Sequence, residues 1–355
     1  MNPVNHQHGG SAAKAFKEYG LEPLPYIDFS VNINPLGPPP ELLKAWGNLA
    51  SELHKYPSTN GAGVIDFYQN HFGLERDSIL PLNGSVEGIY LLPKFLKLKR
   101  VLIPEPSFFD YRAAVTLAGG SAISLPTFLD LGLDISQLKN SLNNVDGVFL
   151  GLPQNPTGAE LNVEDLITLI IEHPHISFLI DLAFFQFLPN SEDFNLMPLC
   201  ASLPNLFIFH SLTKFYAIPA LRVGALLGPP EIIKKISATL PPWRINNIVE
   251  PLLGELQNLQ TYEQETRDIV ESEQLRIRES LKNNLNITLY PSRANFILAE
   301  YKGKQSFDGF LRDALAAGVF LRDARNFNWL KGNFFRFAIL KKTENDQLLS
   351  FLKEI

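Results

Sequence analysis

The chain has 355 residues, 45% of them hydrophobic and 19% charged, the composition of an ordinary globular protein rather than a disordered or fibrous one. A formal net charge of −6 argues against a nucleic-acid or anionic-membrane partner, since both call for clustered basic charge. The single cysteine, Cys200 in "MPLCASLP", excludes an internal disulfide framework and a multi-cysteine metal site, and reads as a small buried hydrophobe.

The opening "MNPVNHQHGG" is polar and lacks the apolar core of a secretory signal. No apolar run approaches the roughly 18 residues that suggest a membrane span. The expectation is a cytoplasmic protein. Up to about Pro40 the helical period is confined to "SAAKAFKEYG", and "NINPLGPPP" closes the segment as an extended, irregular arm. Beyond it, β-like runs alternate with helical ones. "RVLIP", "GVFLGLP", "ISFLID", "LFIFHS" and "RVGALLG" predict strands. "YRAAVTLAGG", ending in a Gly-Gly C-cap, and "NVEDLITLIIEH", with acids in its first turn, predict helices.

Such alternation predicts an α/β fold, a parallel sheet with helices on both faces. Ligand groups in such sheets come from loops just past the carboxyl ends of strands. Here each predicted strand runs directly into polar or special residues: "PEPSFFDY", "PQNPTG", "DLAFF" and "SLTK". After Pro251 the texture changes. "TYEQETRDIVESEQLRIRESLKNNL" predicts a long, solvated helix with Ile269, Leu275, Ile277 and Leu281 as a broken apolar face. "ITLYPSRANFILAEY", "FDGFLRDALAAG", "VFLRDA" and "NFFRFAIL" then predict a smaller α+β unit. The division expected is an arm over 1–40, a large α/β domain over 41–252 and a small α+β domain over 253–355.

Two kinds of residue stand out chemically. Lys214 sits in the almost uncharged "HSLTKFYAIPALRVGALLG", with Arg222 downstream. It is either a solvated lysine beside a buried element or a nucleophilic amine, kept partly neutral by desolvation and a nearby cation. Arg322 in "VFLRDARNF" and Arg336 in "NFFRFAIL" lie inside apolar strands, where a guanidinium must meet an anion. The anion is either a substrate or a structural carboxylate such as Asp323.

Taken together, the strand-end segments resemble the fold-type I, pyridoxal-phosphate-dependent aminotransferase superfamily over nearly the whole chain. "HGG" at 8–10, "DFSVNINPLGPP" at 28–39 and "SLTKFYAIPALR" at 211–222 are most similar to threonine-phosphate decarboxylases of cobalamin biosynthesis, with histidinol-phosphate aminotransferases next. The resemblance implies pyridoxal 5′-phosphate (PLP) joined covalently to Lys214, with Asp181 pairing the pyridine nitrogen to make the ring an electron sink. It implies that Asn155 donates to the cofactor's phenolic oxygen and that Phe108 stacks on its ring. Gly84, Ser85 and Val86, opening a helix, would hold the cofactor phosphate together with Ser211, Thr213 and Arg222. Tyr56 in "HKYP" would reach that phosphate from the neighbouring subunit of a homodimer with active sites at its interface. On the substrate side, Arg336 would fork onto the amino-acid carboxylate. Arg322, with His8 and Asn32 of the arm, would hold the substrate phosphate, and Asn155 would adjoin the substrate.

Read singly, these residues keep simpler alternatives. The alternatives are a helix N-cap for Asp181, a turn residue before Pro156 for Asn155, which its spacing to Asp181 and Lys214 disfavours, capping hydroxyls for Ser211 and Thr213, and a turn for Gly84. Phe108 is equally core, Tyr56 a strand or turn tyrosine, and His6 and His8 a polar tail. No metal site is expected.

The implied reaction is decarboxylation of L-threonine O-3-phosphate to aminopropanol phosphate, and the alternative is transamination of histidinol phosphate or a related amino acid. A PLP-binding sensor module of a transcription regulator is disfavoured by the acidic balance. Two departures from the pattern concern specificity. In "DLAF", Leu182 replaces the usual acid and Phe184 occupies a position where decarboxylases commonly have phenylalanine and aminotransferases tyrosine. Arg244 in "PPWRIN" replaces a small residue and puts a cation beside the expected substrate pocket.

Overall fold

Uninterrupted apolar runs such as "GVFLG" and "LFIFHS" have no solvent face, so they form strands only where helices cover both sides of a sheet. That is their setting in the computed structural model, which describes residues 9–127, 132–189, 191, 196–256 and 258–355. The chain runs through α1 (Ala12–Tyr19), β1 (Ile27–Asp28), α2 (Pro40–Trp46) and α3 (Ala62–Phe72) before entering the main sheet at β2 (Ile79–Leu82). There follow α4 (Ser85–Phe95), β3 (Arg100–Glu105), α5 (Phe109–Leu117), β4 (Ser121–Pro126), α6 (Ile135–Asn140) and β5 (Gly147–Gly151). Next come α7 (Val163–Glu172), β6 (Ser177–Asp181), β7 (Leu206–Ser211), α8 (Leu212–Phe215) and β8 (Gly224–Leu227).

Among the described residues these strands form a seven-stranded sheet in the order β2-β8-β7-β6-β5-β3-β4. Pairing is parallel from β4 through β7, while β8 is antiparallel to both β7 and β2. The expected parallel sheet is thus corrected at "RVGALLG". Only the four-residue α8 and a 3₁₀ turn join β7 to β8, so the chain doubles back instead of making a helical crossover. Sequence reading also passed over β2 and β4. One is four residues long and contains Pro81; the other is the partly exposed edge. Side chains alternate across the sheet as the pleat requires. Val148, Leu150, Phe178 and Ile180 join one apolar cluster, and Phe149, Leu179, Phe207 and Phe209 join the other.

The remaining chain forms α9 (Pro230–Ser237), α10 (Val249–Gly254), α11 (Gln260–Leu281), β9 (Ile287–Leu289), β10 (Phe296–Tyr301) and α12 (Phe307–Ala316). It ends with β11 (Val319–Phe320), β12 (Arg322–Asp323), β13 (Phe334–Ala338) and α13 (Lys342–Lys353). An antiparallel sheet, β12-β13-β10-β9, carries this unit, and β1 pairs with β11 to tie the N-terminal arm to it. In α11 the buried stripe is Tyr262, Thr266, Val270, Glu273, Ile277 and Leu281. Leu275, expected on that face, is 63% exposed, and Ile269 is half-buried. The stripe includes two polar residues that an apolar period does not register. Thr266 and Glu273 are tolerated because each is hydrogen-bonded, to Asn34 and Tyr262 and to Arg276 and Asn345 respectively.

Cys200 is fully buried, and burial pushes its thiol pKa well up, so it is the inert hydrophobe its sequence context suggested. Among the described residues no helix is long and apolar enough to cross a membrane.

Candidate active site

A cavity of about 490 Å³ opens at the carboxyl ends of the parallel strands. Asp181 ends β6, Ser211 ends β7, Phe108 follows β3 and Asn155 follows β5; all four line it, with Ser85 and Val86 from the start of α4. Arg322 and Arg336 enter from the small sheet, and Asn32 from the arm.

Lys214 reaches this space from α8, whose N-cap is Ser211. The Ser211 and Thr213 hydroxyls are 2.7 Å apart, and the Lys214 amine donates to Thr213 Oγ1 at 3.3 Å. Burial, with Arg222 and Arg336 nearby, lowers the amine's pKa from 10.5 to about 8 against the opposing pull of Asp181. The backbone of this short helix is fixed from the arm. Asn34 N–H donates to the Lys214 carbonyl at 3.0 Å. The Asn34 side-chain amide donates to the Phe215 carbonyl, the Tyr262 hydroxyl and Thr266 Oγ1. "NINPLG", read from sequence as an irregular crossing, is therefore a brace for the lysine.

Asp181 is buried beside the lysine, and burial raises its pKa from 3.8 to about 6. Its Oδ1 accepts from Ala183 N–H at 2.9 Å and its Oδ2 from the Tyr111 hydroxyl at 2.8 Å. The first bond closes a local turn rather than capping a helix, since the 3₁₀ turn that follows begins after Phe184. The second, from a residue sequence reading did not select, ties the carboxylate to α5.

Gly84 (φ 80°) precedes α4, and a Cβ there would fall 2.4 Å from Arg222 Nη2. Glycine thus leaves room for the guanidinium against the helix N-terminus. Arg222 itself adopts φ 53° and donates to the Pro219 carbonyl at 3.4 Å. Helix N–H groups, a cation and the Ser211 and Thr213 hydroxyls make a cradle for a phosphate dianion. With a buried carboxylate and a partly neutral amine in the same cavity, the donor set fits PLP.

Arg322 and Arg336 are direct cross-strand partners in β12 and β13. Both are buried. Arg336 donates to Asn155 Oδ1 at 2.6 Å and to the Ser30 carbonyl at 3.0 Å, and its partners among the described residues are neutral. Its Nε and Asn32 Oδ1 are buried with no hydrogen-bond partner among the described residues. Arg322 donates to the Asp323 carbonyl and to Asn326 Oδ1, and lies over the Phe327 ring. The Asp323 carboxylate is engaged by Arg325 at 2.7 Å. Two like charges facing across a strand pair repel, so this arrangement is poised for anions between or above them.

The arm is seated close by. Gly10 N–H donates to Ser30 Oγ at 2.7 Å, and Ser30 Oγ donates to Asp28 Oδ1 at 2.6 Å. A Cβ on Gly9 would stand 2.3 Å from the Ser30 carbonyl oxygen, so the glycine permits this contact. His8 lies outside the described residues. Tyr56 is 82% exposed, packs at a tilt against Trp243 with ring centroids 5.3 Å apart and does not line its own chain's cavity.

Arg244, expected beside the substrate, does not line the cavity. It pairs with Glu87 at 3.0 Å and donates to the Pro81 carbonyl at 2.9 Å, bracing the first turn of α4 against β2. Leu182 is fully buried in the core, and Phe184 lines the cavity, edge-on to Phe296 at 5.0 Å.

A mostly parallel sheet whose strand ends present a lysine, a buried carboxylate and a phosphate cradle defines a class of cofactor-dependent enzymes. The family model for aminotransferase class I and II matches residues 25–352, and the chain belongs to that family, whose cofactor is PLP. It is 30% identical to the threonine-phosphate decarboxylase of Salmonella typhimurium over 363 residues, covering 100% of this chain and 98% of the relative. The histidinol-phosphate aminotransferase structure from Clostridium acetobutylicum superposes with a TM-score of 0.84 at 28% identity, covering 94% of this chain and 98% of that one. The histidinol-phosphate aminotransferase of Sinorhizobium meliloti, in complex with pyridoxal 5′-phosphate, shares the fold with a TM-score of 0.81 at 19% identity, covering 100% of this chain and 96% of that one.

Proposed function

We propose that this enzyme decarboxylates L-threonine O-3-phosphate to aminopropanol phosphate. The observation that carries the reading is the register of Arg322 opposite Arg336. Two buried guanidiniums side by side suit a small substrate with a carboxylate and a phosphate on one short skeleton. Phe184 supports it, because an aromatic without a hydroxyl lines the cavity where aminotransferases prefer a tyrosine.

PLP supplies the electron sink that accepts the bonding pair from Cα when carbon dioxide leaves. Arg336 holds the carboxylate in one orientation, which selects the bond that breaks. Arg322, with Asn32 and His8, holds the phosphate end. Phe108 covers the ring, and Asn155 and Asp181 hold its phenolic oxygen and its nitrogen. Gly84, Ser85, Val86, Ser211, Thr213 and Arg222 retain the cofactor phosphate. The Lys214 amine holds the cofactor before substrate enters, and that amine, once freed, or a water returns a proton to Cα.

Transamination is the second reading, favoured by the 28% identity to a histidinol-phosphate aminotransferase. Product analysis separates the two. Holoenzyme given threonine phosphate is expected to release carbon dioxide without net conversion of PLP to its pyridoxamine form. Glutamate from histidinol phosphate and 2-oxoglutarate, with no carbon dioxide from threonine phosphate, would establish transamination instead.

The same reading makes the enzyme a homodimer in which Tyr56 serves the neighbour's cavity. Leu43, Trp46, Leu53, Tyr56 and Trp243 are 51–82% exposed, a concentration of large apolar side chains that a partner surface would cover. Light scattering should give the mass of two chains. A fully active monomer would overturn this assembly.

A further inference from the structure

We propose that Tyr111 is a positioning residue that fixes the aim of Asp181 and keeps it ionised for the cofactor nitrogen. This rests on the reading of Asp181 as the partner of that nitrogen. Tyr111 is 2% exposed, so its hydroxyl has no access to bulk water and needs a protein acceptor. That acceptor is Asp181 Oδ2, at 2.8 Å. The ring cannot turn freely to another. It stacks on Phe149 with centroids 4.2 Å apart and planes at 17°, and Phe149 stacks in turn on Phe209 at 5.3 Å and 25°. This aromatic column, built on Phe149 inside β5 and Phe209 inside β7, gives the hydroxyl a rigid base. Gly151, at the end of β5, keeps its path open, since a Cβ there would stand 3.0 Å from the hydroxyl oxygen.

The chemical consequence follows from the direction of the bond. A hydroxyl that donates to a carboxylate favours the anion over the acid. Burial pushes Asp181 up to about 6; the Tyr111 hydroxyl, Ala183 N–H and Lys214 hold it down, and Asp110 on α5 opposes them. Without the hydroxyl, burial and Asp110 act with less restraint, and the carboxyl is protonated at higher pH. A protonated Asp181 no longer stabilises a proton on the cofactor nitrogen, so cofactor affinity falls on the acid side. The limb of that fall lies near Asp181's own pKa and moves upward when Tyr111 is removed.

The test is the pH dependence of the PLP dissociation constant, read from cofactor fluorescence and absorbance, for wild type, Tyr111→Phe, Gly151→Ala and Asp181→Asn. Tyr111→Phe is expected to move the acid limb up by roughly one pH unit and weaken binding roughly tenfold on that limb. Gly151→Ala, which crowds the hydroxyl without deleting it, should move the limb the same way by less, and serves alone if Tyr111→Phe does not fold. Asp181→Asn should remove the limb. If Asp181→Asn removes it while the folded Tyr111→Phe or Gly151→Ala protein titrates as wild type, the role given to Tyr111 is wrong. If Asp181→Asn leaves the limb in place, the underlying reading of Asp181 is wrong.

Discussion

Lys214→Met is expected to abolish borohydride-stable capture of the cofactor and to lower turnover by about 10²–10⁴-fold or more, the range a positioned proton-transfer group contributes. Peptide mapping of the reduced wild type should place the adduct on Lys214. An adduct on another lysine would overturn the assignment. The same substitution should make the apoprotein more stable at neutral pH. Burial beside Arg222 and Arg336 lowers the amine's pKa to about 8 from 10.5. The charged form is therefore disfavoured in the folded state relative to the unfolded chain. Between the folded and unfolded values the unfolded chain binds more protons, so wild-type stability rises with pH across that window. Below it the penalty is constant, about 3 kcal/mol for a shift of this size. Met retains most of the stem's volume and carries no charge to desolvate. Denaturant unfolding of the two apoproteins should show the variant ahead at pH 7 and the difference gone above about pH 10.5. Equal stability at pH 7 would mean that the site does not strain the lysine, and that its reactivity has another source.

The strand ends were legible because two independent signals coincide there: an apolar run long enough for a buried strand, followed at once by residues that no core would choose. "FLID", "FHSLTK" and "GLPQNPTG" each stop abruptly at a polar group, and Asp181, Ser211, Lys214 and Asn155 duly meet in one cavity. What stayed hidden depends on partners distant in sequence. Tyr111 reads as an ordinary core aromatic of α5 until its hydroxyl is seen to reach Asp181, 70 positions away. Arg244 looked like a pocket cation because its partner Glu87, 157 positions away, could not be matched to it from spacing. Asn34 read as part of an irregular, proline-rich crossing, yet its amide links the Phe215 carbonyl of α8 to Tyr262 and Thr266 of α11. The two arginines were selected singly, as charges in apolar strands. That they face each other is a matter of register, set by the connection between β12 and β13 rather than by either strand.

That register gives the second large effect. Arg336→Leu is expected to lower kcat/KM roughly 10–150-fold, the equivalent of losing about 1.5–3 kcal/mol from a charge-assisted, forked contact to the substrate carboxylate. Cofactor retention should largely survive, because the phosphate cradle of Arg222, Ser211 and α4 makes no bond to Arg336, and only Asn155, at the ring's phenolic oxygen, loses a partner. The effect on folding is a balance of opposed terms. Asn155 Oδ1 and the Ser30 carbonyl each lose a donor, on the order of 1 kcal/mol apiece. Against this, the substitution removes a buried cation whose charged form is disfavoured by burial and by Arg322 across the strand pair, and Leu packs on the Phe296 face that the guanidinium now covers. Arg336→Lys separates charge from geometry: it keeps the cation facing Arg322 but has no fork for a carboxylate, so it should recover only part of the lost kcat/KM. Steady-state kinetics per folded, cofactor-loaded molecule decides the matter. Should Arg336→Leu lose PLP or unfold while the loaded fraction works at the wild-type rate, Arg336 is a structural strut between the small sheet and the arm. Should Lys fully restore kcat/KM, the substrate is held by charge alone and the bidentate contact is not made.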